Sequence, residues 1–455
     1  MALSAKVGHF NIGLGAAAST VPITSVGFIP KAIIFWWSGR TESTDTAGNA
    51  THLRGVGWTT GTADNFSKCT RSVHGSASLA VADASYRDDA CITEAGDGAL
   101  IGWADLQSFD ADGFTLEILD AFVTDLRVSY LALGGDALTN ATTGVITGPA
   151  ATGNESYTGV GFQSDFLLLS GIKTTGDPPI FATDSDLTIG MVSGPSNQYV
   201  CMGGSNDAAT TTQTVAYSND LEMAGHVAPA INGMSNRAEF VSFDADGFTL
   251  NWLEAGLLGR SHFYLALKLG GNVQVGTVLT QTDTVTPIAV SSLGFTPRAA
   301  LFVSHTLAES TQDVVQDHDT WSMGAATGTA ERVAQGIRDQ DAAATTVITT
   351  AIETDAVYVK VDGSGVVGLM DLTEMGADGF TCLMDDADPA QALVGYAVFG
   401  ESAETDILTY QRAYLGVHRT VTRPVARAEP FTNTLNSGIL TSQPPFFTTI
   451  DAKRL

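Results

Sequence analysis

Two carboxylates one residue apart and followed by glycine can share a hard cation, and the chain carries this arrangement as Asp110-Ala111-Asp112-Gly113. A calcium loop of that kind continues to a third ligand and closes on a Glu roughly nine residues past the second carboxylate. Here the third place falls at Phe114, and no Glu closes the loop. The segment returns as Asp244-Ala245-Asp246-Gly247. It returns again as Gly376-Ala377-Asp378-Gly379, which loses the first carboxylate and keeps the turn. An Asp in such a place bonds its own backbone two residues on, and Gly supplies a positive φ without steric cost. Asp112, Gly113, Asp246, Gly247, Asp378 and Gly379 are therefore read as turn residues, and no metal site is predicted.

The other reactive side chains form no set. Four cysteines contain no C-x-x-C pair; Cys382 takes the place of a strand leucine, and a Cys69–Cys91 bridge is compatible with assembly outside a cell. The eight histidines include no H-E-x-x-H. His318 lies between Asp317 and Asp319, with Asp313 and His305 near in sequence, which reads as a metal cluster or as a solvated acidic loop. There is no G-x-S-x-G elbow, no P-loop and no G-x-G-x-x-G after a strand. No catalytic residue and no cofactor is predicted. Trp36, Trp37 and Trp58 are the candidates for a ligand or interface contact, since aromatics stack on sugar faces and anchor interfaces. Strand alternation would turn one of Trp36 and Trp37 outward, with core packing or an inter-domain contact as the competing reading.

The elements that must position these residues come in three copies. Ser108–Leu116 recurs identically as Ser242–Leu250 and more loosely as Glu374–Cys382. A second marker, Val26–Phe35, returns as Val160–Leu169 and Leu293–Phe302, with Gly27, Gly161 and Gly294 in register. A third, starting at Tyr130, Tyr264 and Tyr396, follows the turn glycine by 17 residues each time. Gly57, Gly190 and Gly324 mark a fourth. A period of about 133 residues is a domain rather than a solenoid unit. The boundaries fall at 1–135, 136–271 and 272–401, with 402–455 outside the repeat.

Each copy reads as short strands and dense turns. Ala32–Trp37 is an apolar run, and Phe114, Leu116 and Ile118 alternate with polar residues. Only Gly324–Ala344 offers any helical periodicity. The fold class is all-β: three tandem homologous antiparallel β-sandwich (jelly-roll-like) domains followed by an extended C-terminal arm. Three copies in one chain could mimic a trimer at a threefold site, a reading that fails if the domains lie in a row.

Charge separates the body from the arm. The chain has 22 basic and 49 acidic residues, a net charge of −27, and only 16% charged residues. The balance argues against nucleic-acid binding and against anionic membrane surfaces. No apolar run approaches the roughly 20 residues of a membrane span, and no secretory signal is read at the N-terminus. Residues 402–455 carry +2, with Arg412, Arg419, Arg423 and Arg427 as the docking candidates, and residues 1–401 carry −29. Four prolines there disfavour a long helix.

Val26–Phe35, Asp110–Leu116 and Tyr130–Gly135 together resemble a repeated β-rich domain of tailed-bacteriophage virion structural proteins, of the decoration or tail-fibre type. The resemblance covers residues 1–401, and the third copy departs most. It implies a non-enzymatic structural protein of the virion, made in the host cytoplasm. Such a protein sits on the head or in the tail apparatus, self-associates, and docks to capsid or tail subunits partly through its arm. The alternative is a glycan-binding receptor adhesin of the tail, with Trp36, Trp58 and Trp103 as a platform for host surface glycan. An enzyme acting on polysaccharide is the weakest reading, because the copies share turns and no acid–base set.

Overall fold

A computed structural model describes residues 2–42, 44–76, 82–175, 179–207, 211–228, 233–255, 260–308, 312–402, 405–412 and 417–424. Every regular element among them is a strand. The first repeat holds β1 (Leu3–Asn11), β2 (Ser19–Ile23), β3 (Pro30–Trp37), β4 (Thr46–Asn49), β5 (His52–Gly61), β6 (Asp64–Ser72), β7 (Ala82–Arg87), β8 (Ile92–Ala95), β9 (Leu100–Asp110), β10 (Gly113–Asp120) and β11 (Arg127–Gly135). The second holds β12 (Asn140–Thr147), β13 (Gly153–Thr158), β14 (Phe166–Thr175), β15 (Ile180–Thr183), β16 (Ser185–Gly194), β17 (Asn197–Ser205), β18 (Thr214–Asn219), β19 (Ala224–Ala228), β20 (Gly233–Asp244), β21 (Gly247–Trp252) and β22 (Arg260–Lys268). The third holds β23 (Val273–Leu279), β24 (Ile288–Ser291), β25 (Phe295–Ser304), β26 (Gln316–Asp317), β27 (Asp319–Gly328), β28 (Glu331–Asp339), β29 (Ile348–Glu353), β30 (Tyr358–Asp362), β31 (Gly365–Met375), β32 (Gly379–Asp386) and β33 (Leu393–Ser402). The Gly324–Ala344 stretch, with its helical spacing, falls in β27 and β28 as far as Asp339; its glycines disfavour a helix, and its β-branched residues suit a pleated sheet.

Each repeat makes a sandwich of a seven-stranded and a four-stranded antiparallel sheet. The large sheets run β1-β11-β3-β5-β6-β7-β15, β12-β22-β14-β16-β17-β18-β26 and β23-β33-β25-β27-β28-β29-β4. In every one the seventh strand belongs to a different repeat. The second repeat lends β15 to the first, the third lends β26 to the second, and the first lends β4 to the third. The exchange is cyclic, so the repeats do not lie in a row. The small sheets run β2-β10-β9-β8, β13-β21-β20-β19 and β24-β32-β31-β30.

Alternation along the strands explains the layers. On β3, Ile33, Phe35 and Trp37 face the small sheet and pack with Ile92, Leu106, Phe114 and Leu116. The opposite residues, Ile34 and Trp36, join one core shared with Leu168, Tyr199 and Phe263 of the second repeat and Leu301, Trp321 and Phe399 of the third. Both faces of each large sheet are thus covered, which is why β3, β14 and β25 read as continuous apolar runs. Met1–Ser402 form one compact unit, and Ala403–Leu455 form a second. Within the second, the chain doubles back: β34 (Thr405–Arg412) pairs antiparallel with β35 (Val417–Pro424). Where the sequence reads an extended arm, the described part is therefore a two-stranded ladder. Among the described residues no helix is long and apolar enough to cross a membrane.

Candidate functional site

The turn residues act between elements. Asp112 accepts the Gly27 amide at Oδ1 (2.7 Å) and the Ser25 amide at Oδ2 (3.2 Å). Asp246 accepts Gly161 N at 2.6 Å, and Asp378 accepts Gly294 N at 2.6 Å. Two sequence markers about 85 residues apart thus meet in every repeat, which ties the turn to the loop entering β3, β14 or β25. Gly27, Gly161 and Gly294 have φ of +89°, +86° and +76°, a conformation that favours glycine. Gly113 has the expected positive φ, +149°, whereas what Gly113, Gly247 and Gly379 share is a close approach of another strand. A Cβ there would come within 2.0, 1.8 and 2.1 Å of the carbonyl oxygens of Ile23, Tyr157 and Val290. Only a residue without a side chain lets the edge strand approach. Asp110 and Asp244 are consumed by their own turns, accepting from Ser108 and Thr115 and from Ser242 and Thr249.

The tryptophans do not form a binding platform. Trp36, Trp37 and Trp58 are fully buried. Trp36 and Trp58 lie in the core shared by the repeats, and Trp37 lies between the two sheets of the first. Alternation does turn Trp36 and Trp37 to opposite faces, but neither face meets solvent. Trp103 stays partly exposed, and the Arg87 guanidinium covers its ring at 3.8 Å. Cys69 and Cys91 are free, buried thiols rather than a bridge, and burial pushes the Cys69 thiol up to about 12. Of the cluster around His318, only His305 and Asp319 come together, Nδ1 to Oδ1 at 3.9 Å. Asp319 pairs with Arg54, Asp313 accepts from Tyr217, His318 accepts the Asp341 amide, and His305 meets the Thr320 carbonyl. Arg412 and Arg419 stand opposite Val417 and Tyr410 in the β34–β35 ladder, and Arg423 stands opposite Asp406. Arg427 lies outside the described residues.

The chemistry of the interior is concentrated where the repeats meet. Arg54 on β5 reaches Asp319 on β27 with two bonds, Nη1–Oδ1 at 2.7 Å and Nη2–Oδ2 at 2.8 Å, and both side chains are fully buried. Arg54 also donates to the Thr70 hydroxyl and to the Gly203 carbonyl, so one guanidinium touches all three repeats. A second buried pair joins the first and second repeats, Lys68 on β6 with Asp186 on β16 at 3.4 Å. Lys68 also donates to the Gly171 carbonyl, and Tyr86 donates to Asp186 at 2.7 Å. On the third repeat, Gln335 takes the β-sheet position matching Lys68. It accepts from Ser38 at 2.7 Å and donates to Ser129 at 2.8 Å, both of the first repeat. Ser205 donates to Asp339 at 2.9 Å across the second and third. A cavity of about 10 Å³ beside this bond, lined by Ser72, Thr214 and Thr346 among others, has room for about one water.

Burial and pairing shift the titration of these groups. Burial lowers Lys68 to about 8, against the opposing pull of Asp186. Burial alone would raise Asp186, but Lys68, His226 and Tyr86 hold it below the ordinary carboxylate range. Burial lowers His226 to about 4, and lowers His52, His262 and His305 well below the usual imidazole value. Groups whose partners are all internal fasten repeats together. Sequence reasoning passed over Arg54, Lys68 and Asp186, and it read Asp319 only as part of a metal cluster or acidic loop. A signal was there: Arg54 sits at a position held by Leu187 and Trp321 in the other repeats, three residues before the marker glycine each time.

A different cluster lies where β4 closes the ring. Asp45, Glu353 and Asp355 bring carboxylate oxygens within 4.8 Å of one another. Asp45 and Asp355 are exposed and Glu353 is buried.

No family model matches the chain, and neither a curated protein nor a solved structure is significantly similar to it.

Proposed function

We propose that the chain is a non-enzymatic structural protein of a tailed-phage virion, on the head surface or in the tail apparatus. The observation that carries the reading is the cyclic exchange of β15, β26 and β4 around one shared core. It builds within one chain what three subunits would otherwise assemble, and presents three similar sandwiches as one multivalent body. The ionisable interior supports a mechanical role, because Arg54, Lys68, Asp186 and Asp319 bind one another. The outer surface is not threefold in chemistry: Leu119 and Leu253 stand exposed at matching positions, and Asp385 takes the third.

The second unit is the docking element of this reading. A ladder of two strands is marginally stable alone in water and gains from a partner. Its basic-leaning composition suits an acidic neighbour, either another virion subunit or a second copy of this chain. Co-sedimentation of the full chain and of a chain ending at Ser402 with assembled heads and with tails tests the proposal. Binding to one of them that vanishes with the truncation supports a docked structural protein. Binding to neither by the full chain overturns it in favour of a free or receptor-facing adhesin.

A further inference from the structure

The three places where a lent strand meets its host sheet invite comparison, because they are copies of one design. The host strands β7, β18 and β29 are each six residues long, buried throughout, and end on Arg87, Asn219 and Glu353. At the first, Arg87 meets Asp89 with two bonds of 2.8 and 2.9 Å. At the second, the Asn219 amide donates to Asp313 at 3.1 Å, and Arg237 lies 3.4 Å from the same carboxylate. Each of these carboxylates is answered by a donor or cation of the protein itself.

The third place differs. Glu353 occupies the position of Arg87, and Asp355 that of Asp89. Asp45, just before the lent strand β4, completes the group, its Oδ1 held by the Thr354 amide and hydroxyl at 2.7 and 2.6 Å. Glu353 is only 9% exposed, and among the described residues its carboxylate has no hydrogen bond and no cationic partner. What surrounds it is protein interior and the carboxylates of Asp45 and Asp355, whose oxygens lie within 4.8 Å of its own. The nearby Arg332 lies 3.3 Å from Asp371 and donates to the backbone carbonyls of Asp355, Thr329 and Leu372, not to the three clustered carboxylates.

We propose that Asp45, Glu353 and Asp355 bind a calcium-class divalent cation, which fastens the lent strand of the first repeat to the sheet of the third. Three carboxylates from two chain segments match the hard, oxygen-ligated geometry of Ca2+, whose flexible coordination tolerates an open site completed by water. Mg2+ demands stricter octahedral geometry and dehydrates reluctantly, so it should bind more weakly.

The test uses the full chain at pH 8 after EDTA treatment and dialysis. Isothermal titration with CaCl2 should show one site, with MgCl2 binding at least tenfold more weakly. Thermal unfolding should shift upward by several degrees in 10 mM CaCl2. Glu353→Gln should lose the calcium heat and the shift. Because it removes a buried unpaired acid, it should melt in EDTA at or above the wild-type temperature, so loss of binding is separable from loss of folding. Asp355→Asn should weaken binding at least tenfold. Absence of calcium uptake by the wild type, or uptake unchanged in Glu353→Gln, overturns the assignment.

Discussion

Arg54 and Asp319 meet end-on where both side chains are fully buried, two bonds of 2.7 and 2.8 Å joining the first repeat to the third. Removing one partner of a buried pair leaves the other charged and unpaired, which costs about 3–5 kcal/mol. Arg54→Met should therefore lower the denaturation midpoint strongly. Arg54→Met combined with Asp319→Leu should recover much of the loss, since apolar replacement of both partners is often close to neutral. Urea titration followed by tryptophan fluorescence reads both. Equal stability of the single variant and the wild type would mean that the pair does not close in solution.

A core shared by three repeats predicts shared cooperativity. Calorimetry on a chain ending at Ser402 should show one transition whose van't Hoff and calorimetric enthalpies agree. Three resolved transitions would mean that the repeats are independent and that the lent strands contribute little.

Asp339 gives the interior a pH dependence. Burial raises its pKa to about 7, with Asp319 adding and Ser205 opposing, against roughly 3.9 in an unfolded chain. Between those values the folded state keeps a proton that the unfolded state has lost, so stability falls as pH rises through this window and levels off above it. Asp339→Asn should remove this contribution. Its melting temperature should exceed that of the wild type by several degrees at pH 8, and the gain should shrink toward pH 4. A gain independent of pH would contradict the assignment.

The turn contacts should show the cost of a lost hydrogen bond and of backbone crowding separately. Asp112→Ala should destabilise by about 1 kcal/mol through the Gly27 and Ser25 amides. Gly113→Ala should cost more, on the order of 2–3 kcal/mol, because its Cβ would overlap the Ile23 carbonyl. Chemical denaturation of the two variants gives the order, and the reverse order would refute the account.

All four cysteines are buried and free. A thiol reagent such as DTNB should label none of them in the native protein and four after denaturation without reductant. Two labelled under those conditions would indicate a Cys69–Cys91 bridge.

Much of the fold was legible in the chain because its signals are local or repeated. Val26–Phe35, Ser108–Leu116 and Tyr130 each mark a strand or turn, and their common period follows from contacts now visible: Asp112 binds Gly27, and Tyr130 packs over Gly8 and against Phe114. The buried tryptophans were harder to place. A large aromatic beside another in a strand carries no mark of what covers its outer face, and here the covering face is another repeat.

The sequence by itself determined the all-β class, the threefold repetition and the places of the turns, since alternation, glycine and a fixed period act within a few residues or between near-identical copies. The tertiary structure alone decided that the repeats close on one another, that Arg54 finds Asp319, and that Asp45 comes to Glu353. Those partners lie hundreds of residues apart and share no motif. Strand pairing at β4, β15 and β26 depends on exposed backbone edges meeting in space, and backbone groups are the same in every residue.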